Sequence, residues 1–194
     1  MAKVHLRRGF KSEASWYSKS VRAELGLRPH DPICPWRLAA HLDLPVIKVS
    51  DFIEIVPEAV AYLHSRDGQE EFSAITADLG DGRVIIHNDA HDPKRQAADL
   101  AHEIAHGLLL HTLAPLTGVS GERNYDREIE EEASWLGPTL LVPDEAAVSI
   151  AIRIADRRLT MQEASDEYGV SDPLLKMRLN VSGALIRASR RRAA

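Results

Sequence analysis

Apolar residues along the chain recur at two spacings, and these divide it into helical ends around a short β segment. Ser12 can cap a first helix on which Trp16, Val21 and Leu25 share one face, with Gly26 as its stop. Pro29 and Pro32 make residues 27–33 a loop, and Pro35 suits the first turn of a short second helix over 36–43. Residues 46–49 read as a strand. From 52 to 68 no period is sustained: Pro57 interrupts the pattern, and Ser65-Arg66-Asp67-Gly68 is turn chemistry. Residues 72–77 alternate, residues 83–87 are apolar and β-branched, and Asp81-Gly82 between them signals a hairpin.

The strongest helical pattern follows. Asp92-Pro93 supplies a cap and a first-turn proline, and the helix is expected to run to about His111. Ala97, Leu100, Ala101, Ile104 and Leu108 form its buried stripe, while Arg95, Asp99, His102 and His106 line up on the opposite face. Pro115, Gly118 and Gly121 mark a loop over 114–124. An acidic helix then runs from Tyr125 to about Leu136. Further on, Thr160 and Glu163 form a capping box, and Ser165, Gly169, Leu174, Leu175 and Leu179 have the spacing of a helix-turn-helix pair. The expected organisation is a main domain over 1–156, a helical segment over 157–186 packed on it, and a basic tail over 187–194 carrying Arg187, Arg190, Arg191 and Arg192. The fold class is α+β: a small antiparallel or mixed sheet on two central helices, with helices at both ends.

Composition narrows the setting without changing this outline. With 194 residues, 44% hydrophobic and 27% charged, the chain can bury a core. A formal charge of −5 argues against a general nucleic-acid coat. Cys34 is the single cysteine, so neither a disulfide framework nor a cysteine metal cluster is expected. The basic amino terminus has no apolar run behind it, and no apolar stretch has the length of a membrane span. A cytoplasmic protein with no membrane association is expected.

The candidate chemistry lies in His102-Glu103-Ile104-Ala105-His106. Residues four apart on a helix differ by about 40° in azimuth, so both imidazoles can grip one ion, and Glu103 at the edge of that face can reach a water beside it. HExxH is the arrangement of zinc peptidases, in which the two histidines bind Zn²⁺ and the glutamate is the catalytic base. A catalytic zinc takes a third protein ligand. His111, nine residues after His102, lies about 180° round a continuous helix and is out of reach unless the helix breaks first. The metzincin spacing is absent, because Leu109 and Thr112 stand where glycine and histidine would be. Asp99, one turn before the ligands, can orient one of them. His87, His91 and Tyr125 are polar neighbours for a developing oxyanion, with structural roles the expectation.

Glu130-Glu131-Glu132-Ala133-Ser134 resembles the glutamate helix of gluzincins, with Glu130 at the ligand position. Together with the two amino-terminal helices, the hairpin, Asn88, the Arg-Gln before HExxH, His111, and IEEEASWLGPTLLVP, the chain resembles the ImmA/IrrE family of compact metallopeptidases. The resemblance implies a zincin-like fold, Zn²⁺ held by His102, His106 and Glu130, and Glu103 as catalytic base. Ser134 departs from the usual Asn or Asp, where an outer hydrogen bond to a zinc histidine is expected. The resemblance also implies a protein partner, a helix-turn-helix repressor whose cleavage derepresses mobile-element or stress genes. The competing reading is a non-catalytic metal-binding member of a regulatory or toxin-antitoxin-like pair, but Glu103 favours the enzyme because a pure binder needs no base. Direct DNA contact by the carboxy-terminal helices is the lesser expectation, since Lys176 and Arg178 are the only basic residues on the second of them.

Overall fold

A computed structural model describes residues 6–78, 82–112 and 127–193. Among them are ten α-helices, one 3₁₀ turn and three strands, a mostly helical α+β arrangement with one small mixed sheet. No helix among the described residues is long and apolar enough to cross a membrane.

Helix α1 (Phe10–Glu24) starts two residues before the expected Ser12 cap. Gly9, at φ 88°, turns the chain so that Phe10 is buried, and burial of this aromatic outweighs the hydroxyl cap. Helix α2 (Pro35–His41) opens on its proline, and β1 (Val46–Lys48) follows. A 3₁₀ turn (Val49–Phe52) begins at the last residue of the expected strand, and two short helices follow, α3 (Pro57–His64) and α4 (Arg66–Glu71), where no period is sustained. Pro57 occupies a first helical turn, where its missing N–H costs nothing, and Ser65 accepts from Gly68 N as the cap of α4. The residues expected to make a turn therefore separate two helices, each too short to show a period.

Strands β2 (Ala74–Asp78) and β3 (Arg83–His87) pair antiparallel, and β1 adds to β3 in parallel, giving the order β1-β3-β2. The hairpin expectation is met, and β2 lies at an edge of the sheet. Helix α5 (Pro93–Leu108) packs across β2 and β3 with Asp92 as its cap. Its buried stripe of Ala97, Leu100, Ala101 and Ile104 meets α6 (Arg127–Leu141) in the most extensive helix–helix contact among the described residues.

Helix α6 continues past the expected end at Leu136, through Gly137 and Pro138. Proline denies a hydrogen bond to the carbonyl four residues back, that of Ser134, which lies on an exposed part of the helix where water can replace it. Gly137 is needed for a different reason. A Cβ there would stand 3.0 Å from His102 N and 3.1 Å from the carbonyl carbon and oxygen of Ala101. The two helices touch backbone to backbone at Ala101 and His102, one turn before His106.

Two buried arginines secure the end of α6. From α1, the Arg22 guanidinium donates to the carbonyls of Leu140 (2.7 Å) and Asp31 (3.0 Å) and to Ser18 Oγ (2.8 Å). Burial lowers its pKa to about 10, so it remains a cation, placed where a helix carboxy terminus favours positive charge. Arg178 donates to Val142 O (2.9 Å) and to Asp144 Oδ1 (2.7 Å). It belongs to α9 (Asp172–Val181), which with α7 (Asp144–Ala155), α8 (Met161–Glu167) and α10 (Ala184–Ala193) completes the fold. Helix α10 packs on α7 and α9, with Ala184 and Ala188 buried one turn apart, so the segment expected as a basic tail is helical. Of the two basic residues noted on α9, Arg178 faces inward and is fully buried.

Gly137→Val is expected to destabilise the protein by about 1–3 kcal/mol, because the new branches meet rigid backbone of α5. In Gly137→Ala the strain is partly offset by about 1 kcal/mol of helix propensity. Urea unfolding of the two variants measures the difference, and equal stabilities for valine and alanine would refute the close helix contact.

Candidate metal centre

Helical geometry places His102 and His106 on one face of α5, and their Nε2 atoms lie 3.1 Å apart. Glu130, in the first turn of α6, reaches across. Its Oε2 is 3.3 Å from His102 Nε2 and its Oε1 is 3.6 Å from His106 Nε2. One ligand atom from each of the three residues falls within 4.8 Å of the others, the only such group of three or more among the described residues. Four ligands around a zinc-sized ion at about 2.0–2.1 Å would sit about 3.3 Å apart along each tetrahedral edge. The observed spacings bracket that value, and two imidazoles with one carboxylate are a donor set suited to such an ion. His106 is nearly enclosed, whereas His102 and Glu130 are partly open to solvent.

Glu103 turns to the other side, toward the sheet. Thr76 Oγ1, on the edge strand β2, donates to Glu103 Oε2 at 2.6 Å. The sequence gives no sign of this partner, since Thr76 lies in an ordinary alternating strand. Only the packing of β2 along α5 brings the two together.

Asp99 Oδ2 stands 3.7 Å from Arg95 Nε and is buried without a hydrogen-bond partner among the described residues. Burial raises its pKa, opposed by the charges of Arg95, His91 and His102. Ser134 is exposed on α6, with no hydrogen bond to either histidine among the described residues. Of the oxyanion candidates, a ring nitrogen of His91 is 3.2 Å from Phe72 O, and His87 packs edge-on to Trp36. Tyr125 lies outside the described residues.

His111 is the residue whose surroundings sequence reasoning missed. Helix α5 ends at Leu108 rather than at His111, and the chain closes in a Schellman turn: Leu110 N–H bonds to Gly107 O and His111 N–H to His106 O. Leu110, at φ 53°, occupies the left-handed position that usually holds glycine. The turn folds the imidazole back, bringing His111 Nδ1 within 2.9 Å of His106 Nδ1. The helix break that would bring His111 near the site is present, and His111 meets the side of His106 away from Glu130. The five-residue spacing of the two histidines matches the residues that a Schellman turn brings together, but with no glycine at position 110 that signal was hidden.

An α+β protein with a His-His-Glu cluster beside a carboxylate has the candidate site of a metal-dependent hydrolase. The family profile described as the IrrE N-terminal-like domain of M78 peptidases matches residues 57–180, more than half of the chain, and the protein belongs to that family. Membership implies metallopeptidase activity. No curated protein matches the chain.

Buried His87 supplies a test of the sheet end of the structure. Both of its ring nitrogens are buried without a hydrogen-bond partner among the described residues, and burial, aided by Lys48 and opposed by Asp89 and Asp51, lowers its pKa. The unfolded chain takes up this proton near about pH 6.5 and the folded chain only at lower pH. Stability should therefore fall as pH drops below that value. His87→Phe, which keeps an aromatic ring against Trp36, is expected to flatten part of that slope in urea titrations between about pH 7 and pH 5. An unchanged slope would show that His87 is not held neutral.

Proposed function

We propose that the protein is a zinc-dependent endopeptidase of the gluzincin type, with a zincin-like arrangement of edge strand, HExxH helix and glutamate helix. The observation that carries this reading is the convergence of His102, His106 and Glu130, with Glu103 one residue along the same helix and held by Thr76. His102, His106 and Glu130 are the metal ligands. A zinc ion bound there supplies a Lewis acid that acidifies water and polarises a peptide carbonyl.

The chain's own groups account for the rest. Glu103 accepts the proton of the attacking water and delivers it to the leaving amine, so one carboxylate serves as base and then as acid. Thr76 keeps one oxygen of that carboxylate occupied and leaves the other to face the water. Strand β2, the outer strand of the sheet among the described residues, lies beside Glu103 and suits an extended peptide aligned by strand addition. The substrate class, a helix-turn-helix repressor whose loss derepresses mobile-element or stress genes, rests on family resemblance. The setting is the cytoplasm.

Glu103→Gln is expected to retain zinc while losing about 10²–10⁴-fold in cleavage rate. The assay is incubation of zinc-loaded protein with helix-turn-helix repressors of the same genome, read by product mass, and a fully active glutamine variant would refute the mechanism. Thr76→Val removes a hydrogen bond to a charged group, worth about 1.5–3 kcal/mol. It should lower kcat about tenfold or more with KM little changed, and equal losses in both parameters would assign Thr76 to substrate binding instead.

A further inference from the structure

We infer that His111 is a positioning residue for the candidate metal ligand His106, backed by Glu132 and Arg7. The inference rests on the reading of His102, His106 and Glu130 as a metal site. His106 turns Nε2 toward His102 and Glu130, and its Nδ1 lies 2.9 Å from His111 Nδ1. A hydrogen bond between two ring nitrogens needs one proton on one of them. If Nε2 of His106 is to offer its lone pair to a metal, the neutral ring carries its proton on Nδ1 and donates it to His111.

That choice dictates the rest of the chain. His111 then accepts at Nδ1 and carries its own proton on Nε2, and Nε2 faces Glu132 Oε2 at 3.5 Å. Glu132 in turn receives Arg7 Nε at 2.6 Å on its other oxygen. In this set of tautomers the His106 proton lies on the 2.9 Å bond to His111, the His111 proton is directed at the Glu132 carboxylate, and His106 Nε2 is left unprotonated. The His106 and His111 rings are 5.0 Å apart and nearly perpendicular, and both residues are buried, so water does not compete freely for this bond. Leu110 gives the placement further weight: a leucine at positive φ costs about 1–2 kcal/mol, and the turn it makes directs His111 onto His106. His111 does for His106 what an outer carboxylate or carbonyl does for other metal-bound histidines.

The test compares zinc affinity, by competition with a chromophoric chelator, and the visible spectrum of the Co²⁺-loaded protein, using the full chain. His111→Leu removes the acceptor and is expected to weaken zinc binding about 10–100-fold and to shift the cobalt bands. His111→Gln, whose amide oxygen can accept from His106 while its amide nitrogen donates to Glu132, is expected to recover most of the affinity. Wild-type affinity and spectrum in the leucine variant would overturn the inference. If the leucine variant fails to fold, Glu132→Gln carries the test: it is expected to weaken zinc roughly tenfold, and unchanged affinity would overturn the inference. A wild-type protein that binds no stoichiometric zinc would instead remove the metal-site reading itself, and this inference with it.

Discussion

The structure depends on the contact between α5 and α6 at Gly137. A donor cluster contributed by two helices is set by how closely their axes approach, and here a Cβ at the crossing would press to within 3.0–3.1 Å of the α5 backbone. One helix supplies two imidazoles with fixed spacing. The other supplies Glu130 from its first turn, seven residues before the crossing, so small changes at Gly137 are magnified at the carboxylate. Arg22 holds the far end of α6 by the Leu140 carbonyl, and Arg178 holds the residues just beyond it by Val142 O and by Asp144 of α7. The helix is thus pinned at its middle and its end while its beginning carries the ligand.

The sheet acts on the same site from the other side. Three short strands make a modest surface, but β2 places Thr76 against Glu103, so the two candidate functions of α5, binding an ion and moving a proton, are oriented by different neighbours. His106 is held by His111 and α6, and Glu103 by the edge strand. Most metal-site proteins also use outer partners to orient their ligands. Here one such partner comes from the closing turn of the same helix, which leaves the exposed Ser134 without that task.

Long, periodic elements were legible in the sequence. The apolar stripe of α5 and its Asp-Pro start, the hairpin of β2 and β3, and the capping box of α8 all rest on interactions among residues close in sequence. The family was legible as well, because several local patterns occur in a characteristic order. Helices α3 and α4 were not legible: neither establishes a period, and their capping residues read as a turn. The helix expected to end at about Leu136 continues through Gly137 and Pro138, two residues that weaken a helix in isolation. In the folded protein the glycine relieves a clash with α5 and the carbonyl freed by the proline lies near solvent.

By itself, the sequence determined that two histidines would share a helix face with a glutamate at its edge, since a 3.6-residue turn leaves no alternative once the helix forms. The resemblance nominated Glu130. The tertiary structure decided what each of these residues meets: Glu130 across the two imidazoles, Thr76 on Glu103, and His111 folded back onto His106. Such contacts join residues far apart in sequence, or depend on a leucine adopting a backbone conformation that its own preference disfavours. Local pattern carries no record of either, because the distances are set by packing of the whole core.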